Sequence, residues 1–202
     1  MLETTAFFEM AKASLLTDGK LAPMMYVEYT DNEGVEALSM LYFADWGADT
    51  PLEEHRQMYD YGIQFAADEE HATIQKLTMI AEAWVSSTIT PEAYRKRTWK
   101  RPSDDPARRE VLLAQIVELM PTPDGAVMPR QRMIQAEMLR SQAGIDLLPA
   151  QEETGEIAST TLPLTFYRGY RQARILAEQV NIRAAHSPGI QTRGQAARPF
   201  GA

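Results

Sequence analysis

The chain contains no cysteine. That absence excludes a disulfide framework, a thiolate zinc site and a cysteine nucleophile, and it fits a reducing compartment. Histidine is scarce as well, with only His55, His71 and His186 available for a histidine relay. Gly-x-Ser-x-Gly, His-Glu-x-x-His, the Walker loop and Gly-x-Gly-x-x-Gly are all missing, so the common catalytic and nucleotide-binding signatures are absent. No run approaches the roughly 18 apolar residues of a membrane span. Met1-Leu2-Glu3-Thr4-Thr5 lacks the basic and apolar regions of a secretory signal. We therefore expect no membrane partner, no cofactor and no metal, with placement in the cytoplasm or, for a phage component, in the virion.

The 202 residues hold an ordinary 45% apolar and 24% charged share, enough for one core and short for two. A single domain over 1–184 is expected, with a Gly-, Pro- and Arg-rich tail over 185–202. Charge is unevenly spread. Residues 1–90 carry sixteen acidic against four basic side chains, and residues 91–202 carry twelve against sixteen. Such polarity can orient a partner or a second copy of the same chain.

Phe7, Met10, Ala11 and Leu15 recur at helical spacing before Asp18-Gly19, which predicts a helix over 4–17. Met24–Thr30 and Val35–Phe43 are β-rich runs around Asp31-Asn32-Glu33-Gly34, the composition of a hairpin turn. Thr50-Pro51-Leu52-Glu53 is a capping box with proline at the first helical position. The helix it opens presents Leu52, Tyr59, Ile63 and Ala66 on one face. A strand is expected over 74–86. Residues 88–109 follow as a long polar connection with three prolines and seven basic residues, where we expect little regular structure. Val111–Met120 and Met128–Arg140 form a second hairpin across Pro121-Thr122-Pro123-Asp124-Gly125. Residues 142–162 read as loop with at most one short strand. Phe166, Tyr170, Ala173, Ala177 and Val180 mark an amphipathic helix over 163–182. The class is α+β, an antiparallel sheet of about five strands with helices on one face, in the order α-ββ-α-β-(long loop)-ββ-α.

That element order resembles the roadblock and profilin-like domains, which place two or three helices about a five-stranded antiparallel sheet. Leu15-Leu16-Thr17-Asp18-Gly19 with Ala22-Pro23, and Glu82-Ala83-Trp84 after an apolar run, are similar to uncharacterised bacterial proteins. The resemblance implies a compact domain and carries no activity.

Glu53-Glu54-His55 and Glu69-Glu70-His71 contain metal-ligand chemistry. Their sixteen-residue separation puts them about 160° apart around a helix and some 24 Å along it, so they cannot share an ion. Glu82 interrupts the apolar Leu77–Val85 run, where desolvation would raise a carboxyl pKa and suit an acid or base. Glu28, Glu118 and Glu137 also interrupt strands. They could hold a divalent cation or, on a solvated sheet face, pair with Arg132 and Arg140 across strands.

Arg95, Arg97 and Arg101, with Trp99 among them, have the charge and stacking surface that phosphates and single-stranded bases need. Neighbouring acids dilute that charge, and the acidic first half would repel a polyanion, which disfavours nucleic acid. Arg168, Arg171 and Arg174 form a basic ridge on the last helix, extended by Arg183, Arg193 and Arg198. Together these features lead us to expect a non-enzymatic interaction or assembly protein, self-associating or binding protein partners. The alternatives are a ligand-binding protein or enzyme using Glu82, and a nucleic-acid binder using the 94–109 loop and tail.

Overall fold

Each hairpin turn is closed by a side chain that does backbone work. A computed structural model describes residues 4–43, 51–69, 72–86, 105–154 and 161–186, together with Glu92 and Lys96. In the first hairpin Asp31 Oδ1 accepts the N–H of Glu33 and of Val35, both at 2.9 Å, and Gly34 takes the left-handed φ of 80° that the turn requires. Strands β1 (Met24–Thr30) and β2 (Glu36–Tyr42) pair antiparallel without a register shift. In the second hairpin Thr122 Oγ1 donates to the Ala126 carbonyl at 2.8 Å, and Gly125 stands at φ 81°. It joins β4 (Arg109–Pro121) to β5 (Val127–Ser141).

The remaining strands complete a seven-stranded sheet in the order β2-β1-β3-β4-β5-β6, with β3 over Thr73–Val85. Strands β6 (Gly144–Leu147) and β7 (Gln151–Thr154) both pair with β5, β6 along its last residues, Met138 to Ser141, and β7 along its middle, Arg132 to Gln135. The predicted count of about five is thus exceeded, because the polar 142–162 segment supplies two four-residue strands in place of a loop. All pairings are antiparallel.

Among the described residues three helices cover the sheet. Helix α1 (Thr4–Asp18) buries Phe7, Phe8, Ala11 and Leu15 against Tyr26, Ile80, Leu112, Ile116 and Ile134. Helices α2 (Pro51–Asp68) and α3 (Leu162–His186) cover the opposite face, where Met58, Phe65 and Phe166 meet Met25, Val27, Leu77 and Val117. The expectation of helices on one face is corrected here: both sheet faces carry apolar positions, and each takes a helical layer. Burying a side chain such as Phe8 or Phe166 contributes about 1.5–3 kcal/mol.

Helix α2 begins at Pro51 as the capping box predicts, while Thr50 lies outside the described residues. Its buried face is Met58, Gly62, Phe65 and Ala66. Ala66 of the predicted face is buried and Tyr59 is half-buried, but Leu52 is 79% exposed and Ile63 is exposed too, so the predicted face is only partly in phase. The cause is Gly62: a Cβ there would sit 2.0 Å from the Phe166 carbonyl oxygen, and one on Gly169 would sit 2.0 Å from that of Tyr59. Two glycines let the α2 and α3 backbones touch, and this contact sets the rotation of α2. Among the described residues no helix is long and apolar enough to cross a membrane.

Candidate functional site

Glu82 lies on the α1 side of β3, near the end of the sheet where the chain leaves α1. One carboxylate oxygen accepts the Leu21 N–H and the other accepts Arg140 Nη2. The same guanidinium donates from Nε to both Glu110 oxygens at 2.9 and 3.0 Å and from Nη1 to the Gly19 carbonyl at 2.8 Å. The hydrogen bonds to Glu110, helped by the charges of Glu110 and Glu82, hold the Arg140 pKa above its usual value. Chemically this is a clamp: three strands and the α1–β1 connection meet at one cation. Both Glu82 oxygens are engaged.

The other strand acids also face cations. Lys76 Nζ lies 2.7 Å from Glu28 Oε1 in a buried ion pair that is off hydrogen-bond alignment. Arg132 bridges Glu118 and Glu152 at 2.8 Å each, and Arg109 reaches Glu137 at 3.1 Å. Desolvation opposes the Arg132 charge, but its bonds to Glu152 and Glu118 outweigh that and raise its pKa. The cross-strand pairing by Arg132 and Arg140 expected from the alternating pattern is therefore what the sheet contains. Among the described residues no group of three or more His, Asp or Glu is placed to hold a metal ion.

Of the two Glu-Glu-His triplets, His71 lies outside the described residues. His55 Nδ1 is 2.7 Å from Thr165 Oγ1, joining α2 to α3. Thr165 uses its proton on the Thr161 carbonyl at 3.1 Å, so His55 donates and its Nε2 carries the lone pair. Burial, with the Arg168 charge second, lowers the His55 pKa from 6.5.

Arg95, Arg97, Trp99 and Arg101 lie outside the described residues, as do Arg193 and Arg198. Glu92 and Lys96, the two described positions between 87 and 104, are helical and ion-paired one turn apart, where little regular structure was expected. The base of this segment is pinned. Ser86 Oγ donates to Asp105 Oδ2, both residues buried, and Asp105 Oδ1 accepts the Ala107 N–H at 2.9 Å. The Arg108 guanidinium stacks 4.5 Å above the half-exposed Trp84 ring. Sequence reading missed both contacts, since each joins residues that only the β3–β4 register brings together.

On α3, Arg168 and Arg171 are exposed and Arg174 is half-buried. The apolar stripe does something the spacing could not show. Phe166 and Tyr170 are buried and Ala173 is half-buried, but Ala177 and Val180 are exposed, as are Ile175 and Leu176. The helix runs past the core that its first half fills. No protein-family model, curated protein or solved structure matches this chain.

Proposed function

We propose that the protein is a non-enzymatic assembly component that self-associates into a homo-oligomer or larger particle. The observation that carries this reading is the second half of α3. Its first half inserts Phe166 and Tyr170 into the core, and the same stripe continues as exposed Ala177 and Val180, beside Leu176. An apolar helical face without a described partner is a surface suited to docking. The adjoining Arg171 and Arg174, against an acidic first half of the chain, give the contact a preferred partner of the same sequence. The engagement of Glu82, Glu28, Glu118 and Glu137 by cations supports a structural role for the acids that otherwise suggested chemistry.

Leu176→Glu combined with Val180→Glu tests this. Both positions are exposed in the single chain, so the circular dichroism of the folded variant is expected to stay unchanged. Light scattering should give a lower mass for the variant than for the wild type, and added salt should weaken the wild-type assembly. Equal masses at every concentration would remove α3 as the assembling element.

A further inference from the structure

We propose that β2 pairs edge to edge and antiparallel with β2 of a second copy, fusing two seven-stranded sheets into one; this rests on the self-association reading above. The Asp31 N–H donates to Val35 O at 3.0 Å and the Phe43 N–H to Pro23 O at 2.9 Å, one bond at each end of the β1–β2 pair. Hydrogen-bonded pairs alternate along an antiparallel ladder. Val35, Ala37, Ser39, Leu41 and Phe43 therefore turn their backbone groups toward β1, and Glu36, Leu38, Met40 and Tyr42 turn theirs outward. Among the described residues nothing pairs with that outer edge.

The edge also lacks the devices that keep strands apart. It has no proline, no lysine or arginine and no register shift, and Leu38, Met40 and Tyr42 are 44%, 59% and 59% exposed. The opposite edge is guarded: it is cut into two four-residue strands, one carrying Glu152 and Glu153.

A second copy fits because the strand is complementary to itself. Full overlap centred on Ser39 sets Leu38 opposite Met40 of the second copy and Glu36 opposite its Tyr42. Apolar side chains then meet, the phenol can donate to the carboxylate, and the two Glu36 side chains stay at opposite ends. The outward N–H and C=O groups of each strand find partners on the other. On the same face a cavity of about 230 Å³, lined by Phe7, Glu28 and Leu38 among others, opens beside β2. Met40 of the second copy lies across from Leu38 at its rim.

The absence of cysteine makes the register testable. Ser39 lies on the two-fold axis as a non-hydrogen-bonded pair, with Cα atoms about 4.5 Å apart, inside the range a disulfide bridges. Two Ala37 residues would stand about 13 Å apart along the strands, beyond that range. Under mild oxidation Ser39→Cys should convert to a covalent species of twice the 22.7 kDa chain mass. Ala37→Cys should not, and adding Met40→Lys to Ser39→Cys should suppress the product. Equal cross-linking of both cysteines, or none, in a chain that still associates would overturn the β2 pairing and leave self-association standing. A wild-type chain that sediments as a monomer throughout would overturn both.

Discussion

At the scale of single residues, His55 shows how a helix interface can carry pH sensitivity. Its ring lies between α2 and α3, donates to Thr165 and has the Arg168 charge nearby. Burial, chiefly, and that charge favour the neutral ring in the folded chain, so the folded pKa is below the 6.5 of an unperturbed histidine. The unfolded chain then binds the proton more readily. The stability that His55 contributes is complete above pH 6.5 and is lost as pH falls from there toward the lowered folded value. Urea midpoints measured from pH 8 to pH 5 should decline over that window, and His55→Gln should flatten the part due to this ring. An unchanged decline in the variant would assign it to other groups. Glu82 is the other instructive residue. A carboxylate in an apolar run is visible in the sequence as an anomaly, and its cross-strand arginine was foreseeable from strand alternation. The Leu21 N–H that fills its second oxygen lies sixty-one residues away and depends on where α1 ends.

Among the elements, the α2–α3 crossing makes the sharpest stability claim. Alanine normally stabilises a helix interior relative to glycine by about 1 kcal/mol. At Gly62 the added methyl would stand 2.0 Å from the Phe166 carbonyl oxygen, which is backbone and cannot rotate away. The helices must separate, loosening the contact between Phe65 and Phe166, whose rings are 5.7 Å apart. Gly62→Ala should therefore destabilise by about 1–3 kcal/mol, against its propensity. Gly169→Ala should do the same, and the double variant should cost less than the sum, since one separation relieves both clashes. A raised unfolding midpoint for either single variant would contradict this packing. The same crossing explains what the sequence hid. Turn chemistry at Asp31–Gly34 and Pro121–Gly125, and alternation in the strands, made both hairpins readable with bounds close to those observed. The α2 face was readable only at Ala66, because Gly62 carries no hydrophobic signal and Leu52 and Ile63 drew the stripe away from Met58 and Phe65. Strand β7, Gln-Glu-Glu-Thr, has no apolar residue at all and is held by Arg132 and by Gln135, which donates to Glu153 at 3.0 Å.

Across the whole molecule, a sheet with helices on both faces leaves three kinds of surface: a guarded edge at β6 and β7, an edge at β2 with no partner among the described residues, and the end of α3. The first is short and acidic, and the other two are apolar. One fold explains all three. The sheet ends where β2 has one neighbour, and α3 is longer than the core it covers. Two unlike apolar surfaces on one chain allow an isologous pair to extend further through a second contact. The ion pairs of Glu28, Glu82, Glu118 and Glu137 each join two strands of the sheet. Sedimentation velocity of the unaltered protein over a wide concentration range tests whether the chain assembles with itself. Self-association gives a weight-average mass above 22.7 kDa that rises with concentration. A mass that stays at 22.7 kDa over the whole range would contradict it.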